Sequence, residues 1–228
     1  MAMALCVSCK KDNPEPSGGG TGGGNTGGGG GGTGSHEYVD LGLPSGTLWA
    51  TCNVGAENPE EYGDHYAWGE TETKDFYYES NYKWCNGSTF SLTKYNTKSD
   101  FGIVDNKTVL EMADDAASAN WGDDWRMPTG EELYELYDKC TWTWTTQCGK
   151  NGYCVTGPND KSIFLPAADH GTSFDSAGYY GGYWSSSLYS SYPGYACNIH
   201  FDSSDVYHLR GDSYRFFGLS VRPVRSVR

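Results

Sequence analysis

Residues 178–222 read GYYGGYWSSSLYSSYPGYACNIHFDSSDVYHLRGDSYRFFGLSVR. Two runs inside this stretch decide the fold class. Cys197, Ile199 and Phe201 alternate with Asn198, His200 and Asp202, and Phe217, Leu219 and Val221 alternate with Gly218, Ser220 and Arg222. A period of two marks a strand, so each run reads as a half-buried strand with one polar face. Around them lie Tyr, Ser, Asp and Gly, which are residues of turns and irregular loops. The stretch predicts short strands set between loops.

What the stretch lacks is equally informative. From Ser162 to the C-terminus there is no Lys, Glu, Gln or Met, whereas the first 161 residues hold 27 of them. At that rate about eleven are expected in the tail. Adenines randomised within Asn codons would produce this gap. Codons ending in C or T never encode Lys, Glu, Gln, Met or Trp. On this reading the single Trp184 belongs to a fixed framework. The plainer alternative is a Tyr- and Ser-rich loop segment whose composition has drifted. Mixtures of this kind are otherwise typical of recognition loops.

Working outward, the strand Ser162–Pro166 ends at its proline, and Cys140–Thr156 reads as a hairpin with alternating Trp142 and Trp144. Cys148 and Cys154 bracket a Gly-Lys-Asn-Gly-Tyr turn, so they are expected to face each other across it as a disulfide. Such a bond fits an oxidising, exported setting. Thr129-Gly-Glu-Glu132 is a capping box, so a short helix starts near Pro128. Lys107–Asn120 carries apolar residues at helical spacing and predicts another. Tyr38–Leu43 and Thr47–Val54 read as two strands around a Pro-Ser-Gly turn. No internal repeat is evident.

Residues 36–228 are long enough to form one domain with a substantial interior. Residues 13–35, Pro-Glu-Pro followed by near-pure Gly and Thr, bury nothing and form a tether reaching roughly 25–30 Å. Residues 1–8 read as a remnant of a secretory signal peptide. Val7-Ser8-Cys9 resembles the end of a bacterial lipobox, and the following residues are similar to those of Bacteroidetes lipoproteins. That resemblance makes Cys9 the lipidated residue, with the domain on the outer-membrane surface. The net charge of −13, with no basic run, argues against nucleic acid and anionic membrane surfaces as partners.

Several strings then carry a family resemblance. Residues 37–50 (EYVDLGLPSGTLWA) resemble the opening of the Fibrobacter succinogenes major-paralogue family. Residues 121–129 (WGDDWRMPT) are similar to its central signature. Residues 164–168 (FLPAA), 183–187 (YWSSS) and 220–224 (SVRPV) are similar to its closing ones. Together they span nearly the whole domain in order. The resemblance implies an α+β, C-type-lectin-like (formylglycine-generating-enzyme-like) fold, with short strands, two short helices and long irregular loops. Such domains pair their N- and C-terminal strands. Some members are variable proteins of diversity-generating retroelements, whose C-terminal segment is rewritten by adenine mutagenesis.

On that view the protein binds a ligand, a protein or a glycan on another cell or host surface. The expected contacts are Tyr180, Leu188, Tyr189, Ser190, Tyr192, Asn198, His200, Ser203, Asp205, Tyr207, His208, Arg210, Asp212, Ser213 and Arg215. Tyr offers a large rigid surface at low entropic cost, and Ser and Asn adapt their hydrogen bonds. Trp184 and Val221 should be buried while the contacts share one solvent-facing patch. The alternative is a fixed adhesion or glycan-binding domain of the same family.

Other chemistries are weaker. The related formylglycine-generating fold can oxidise cysteine through late thiols, but Cys197 is the only one here and lies within a strand pattern. His170, His200 and His208 lack a partner motif, so no catalytic residue and no cofactor is expected. Classical calcium-lectin strings (EPN, QPD, WND) are absent. Asp114-Asp115 and Asp123-Asp124 offer calcium oxygens, but such pairs are usually solvated, and the first pair falls inside the expected helix. Residues 210–213 spell RGDS, an accidental match if Arg210 and Asp212 are diversified. No matched CxxC pairs suggest zinc.

Overall fold

The computed structural model describes residues 36–169, 176–208 and 213–226. Among these are twelve strands and two α-helices: β1 (Tyr38–Asp40), β2 (Leu48–Ala50), β3 (His65–Tyr66), α1 (Ala116–Trp121), α2 (Gly130–Lys139), β4 (Thr141–Gln147), β5 (Lys150–Thr156), β6 (Ser162–Pro166), β7 (Gly181–Leu188), β8 (Tyr195–Phe201), β9 (Val206–His208), β10 (Ser213–Tyr214), β11 (Leu219–Ser220) and β12 (Val224–Arg225). The class is α+β, rich in short strands. Cys9 and the tether lie outside the described residues.

Three sheets form. β1, β2 and β12 make an antiparallel sheet that joins the two ends of the domain. β4, β5 and β6 make a second. The third runs β10-β8-β7-β11-β3, with β9 also on β8. In it β7 and β8 form an antiparallel hairpin, and β11 lies parallel to β7.

The local signals explain the elements they should. Thr129 caps α2: its Oγ1 accepts from the Glu132 N–H at 3.2 Å, and its own N–H donates to Glu132 Oε2 at 2.8 Å. Glu132 also takes Arg126 at 2.6 Å and Thr47 at 2.7 Å, tying the Pro-Ser-Gly turn to the helix. The β4–β5 hairpin turns through Cys148 and Gly149, both at positive φ, as a two-residue hairpin loop requires. Trp142 and Trp144 both pack edge-on against Tyr153.

Four expectations need correction. The helix over 107–120 is reduced to α1 and a one-turn 3-10 helix, Met112–Asp114. Residues 108–110 instead lie along β7, with Leu110 N–H on Ser186 O at 2.9 Å and Leu188 N–H on Thr108 O at 2.8 Å. Backbone groups spent on a sheet cannot also form helical bonds. The two N-terminal strands are shorter than expected. The half-buried strands with a polar face do not exist as such: Asn198, Ser220 and Arg222 are all buried, because core packs on both sides of the central sheet. Finally, Cys154 stands opposite Thr143 while Cys148 occupies the turn, so the two do not face each other across the ladder. Both are disulfide-bonded, and Cys52, Cys85, Cys140 and Cys197 are free thiols.

The central hairpin separates two clusters. Tyr183, Ile199 and Phe201 join Trp49, Leu133, Leu136 and Val155 on one side. Trp184, Leu188 and Ala196 join Trp68, Tyr95, Met127 and Val221 on the other. Trp184 and Val221 are fully buried, as expected of framework.

Candidate binding surface at the two ends of the C-terminal hairpin

The β7–β8 ladder runs from Gly181 opposite Phe201 to Leu188 opposite Ala196. Five residue steps along β8, opposed by seven along the bulged β7, set its ends roughly 17 Å apart at about 3.3 Å each. The expected contacts divide between these ends rather than sharing one patch.

At the loop end, residues 189–194 close through Tyr192 N–H on Tyr189 O and Tyr195 N–H on Tyr192 O. Beneath the loop lies Arg215, fully buried. Its Nε donates to Tyr82 Oη at 2.9 Å and its two NH groups to the carbonyls of Tyr95, Pro193 and Lys94 at 3.0–3.2 Å. The guanidinium also lies 4.9 Å from the Trp68 ring centroid. On the outer side Lys98 Nζ donates to Ser191 O at 2.6 Å. The loop backbone is therefore clamped from within and from without.

The side chains mounted there form a continuous aromatic band. Phe90 meets Phe101, which meets Tyr192, then Tyr195, Tyr214, Phe216 and Phe217, with neighbouring centroids 4.5–5.3 Å apart. Phe90 is 61% exposed, and all the others except Phe101 are half-buried. Ser190 is exposed and Tyr189 half-buried.

At the other end Tyr179, Tyr180, Ser203 and Asp205 are exposed, and His200 stacks on Tyr207 at 5.0 Å. Asp202 accepts from Ser204 Oγ and from the N–H groups of Ser204 and Asp205. Those bonds, the Ser204 hydroxyl first, hold its carboxyl below the usual range. An open groove of about 370 Å³ runs between Tyr179, Tyr180 and residues 202–204.

Four expected contacts are structural instead. Leu188, Asn198, Ser213 and Arg215 are buried. Leu188 belongs to the core, Asn198 Nδ2 donates to Ala196 O at 3.1 Å, and Arg215 is the loop clamp. Only the backbone of His208 is described, and His170, Arg210 and Asp212 lie outside the described residues. The sequence reading missed Tyr179, Tyr195, Tyr214, Phe216 and Phe217, which lie beside expected contacts in the chain. It also missed Phe90 and Phe101, which reach the band from a distant loop with no local signal.

Asp114 and Asp115 are buried rather than solvated; Asp114 ends a one-turn 3-10 helix, Met112–Asp114, and Asp115 stands before α1. Asp114 takes Lys94 at 2.5 Å and Tyr95 Oη at 2.6 Å. Asp115 caps α1, accepting from the N–H groups of Ala117, Ser118 and Met127. Burial raises its carboxyl despite those bonds. Among the described residues no group of three or more His, Cys, Asp or Glu is placed to hold a metal. Burial pushes the Cys197 thiol up to about 11, away from a reactive thiolate. No helix among these residues is long and apolar enough to cross a membrane. The chain matches no protein-family model, and no curated protein or solved structure is significantly similar to it.

Proposed function

We propose that this is a ligand-binding domain of C-type-lectin-like fold, held on the cell surface by a lipid on Cys9 and a Gly-rich tether. It carries no catalytic residue. It recognises a protein or glycan on another cell or a host surface through side chains at the ends of the β7–β8 hairpin. The observation that carries the reading is the half-exposed aromatic band on a clamped loop. Large rigid aromatics on a fixed backbone bind at low entropic cost, and a few of them supply most of the affinity. The β1–β2–β12 sheet, which joins the domain's two ends, supports the fold assignment.

The compositional gap after residue 161 supports retroelement diversification of this surface. Arg215 and the other three buried positions then belong to the mount, and among the described side chains swapping falls on Tyr180, Tyr189, Ser190, Tyr192, His200, Ser203, Asp205 and Tyr207. The test is the DNA beside the gene. A near-copy of the codons for Tyr179–Phe217, differing only at adenines, and a reverse transcriptase gene are expected. If both are missing, the fixed adhesion domain replaces this reading.

A further inference from the structure

Outside the C-terminal segment, two large aromatic side chains stand in solvent without packing partners in the core. Phe76 is 60% exposed and Tyr78 is 51% exposed, and their rings are near-parallel, 13° apart, with centroids 6.1 Å from each other. Their exposure is built in. Tyr77 between them is buried; its hydroxyl donates to His65 O and its ring fills the space beside Gly218, where a Cβ would come within 2.8 Å. Extended backbone alternates its side chains, so anchoring Tyr77 inward turns both neighbours outward. Asn81 then fixes them: its Oδ1 accepts from Tyr78 N–H at 3.1 Å and its Nδ2 donates to Phe76 O at 2.9 Å.

Beside the rings lies an open groove of about 450 Å³ lined by Thr73, Lys74, Asp75, Phe76 and Asn81. Lys74 is already spent, on Glu70 at 2.6 Å and on Asn81 O at 2.6 Å. The Thr73 hydroxyl and the Asp75 carboxylate have no hydrogen-bond partner among the described residues and remain open to a ligand. We propose that Phe76, Tyr78, Thr73 and Asp75 form a saccharide-binding platform outside the C-terminal segment. A sugar presents C–H faces that lie on aromatic rings and hydroxyl edges that donate to a carboxylate and exchange bonds with a threonine. The polar lining disfavours an apolar peptide, and the open Asp75 carboxylate disfavours an anion. The segment contains Lys and Glu, so it lies outside the compositional gap and keeps its residues if the C-terminal face changes.

The experiment uses the full chain on a printed array of host mucin and bacterial-wall oligosaccharides, followed by calorimetric titration of each sugar that binds. Saturable binding is expected. Phe76→Ala and Tyr78→Ala should each weaken it about tenfold, and Asp75→Asn should weaken it severalfold. Both rings are exposed, so the variants should melt with the parent. Tyr38→Ala, which removes an exposed aromatic on β1, should leave sugar binding intact. Absence of binding to every sugar, or binding that survives Phe76→Ala/Tyr78→Ala, overturns the proposal. Loss of binding in Tyr38→Ala alone would do the same.

Discussion

Replacing Arg215 by alanine separates mount from surface. The guanidinium makes four hydrogen bonds, to three carbonyls and one hydroxyl that come from three separate segments. Removing it leaves those acceptors unsatisfied in a site with no exposure. Each buried orphan costs about 1–3 kcal/mol, partly offset because the charge itself no longer needs desolvation. The vacated side-chain volume adds a cavity term. The net expectation is about 3–5 kcal/mol of lost stability. For a domain of this size that lowers Tm by about 6–20 °C. Arg215→Lys should recover only part of the loss, since an ammonium cannot reproduce the planar fork. Urea unfolding followed by tryptophan fluorescence reads the change. A loss under about 0.5 kcal/mol, the range of ordinary surface substitutions, would refute the clamp and return Arg215 to the swappable positions.

Other consequences are as direct. Ser190→Arg and Ser203→Arg should each shift unfolding free energy by no more than about 0.5 kcal/mol in the same assay. Asp115→Ala strands three buried N–H groups and should cost about 3 kcal/mol or more, seen as early hydrogen exchange across α1. Glu132 is held below its ordinary value: burial opposes ionisation, but Arg126, the Thr129 N–H and Thr47 outweigh it. A depressed carboxyl stabilises the fold above its unfolded value, about 4.3, and loses that contribution as pH falls through the lower folded value. Glu132→Gln should therefore flatten the acid side of the stability–pH curve, measured by urea titration from neutral to acid pH.

What could be read from the sequence followed the range of the interactions involved. The capping box at Thr129 and Glu132 and the alternating Trp142 and Trp144 act within a few residues, so α2 and the β4–β5 hairpin were legible. The shortening of the 107–120 helix was not, because its cause is pairing with β7 some eighty residues away. Polar burial was hidden for the same reason. Arg215 finds its partners 22–133 residues off, and Arg222 finds its own 58–172 residues off. Nothing beside Arg215 in the chain marks it as interior. The compositional gap after residue 161 is visible in the sequence, but the division of that segment between two hairpin ends depends on strand register.

A saturation scan of residues 179–217, displayed on cells and sorted by resistance to protease, tests the central claim most directly. Tyr189, Ser190, Ser203, Asp205 and Tyr207 should accept nearly any side chain, while Trp184, Leu188, Asn198 and Arg215 should accept almost none. Uniform intolerance across both sets, or free substitution at Trp184 and Arg215, would contradict a rigid mount carrying exchangeable recognition side chains.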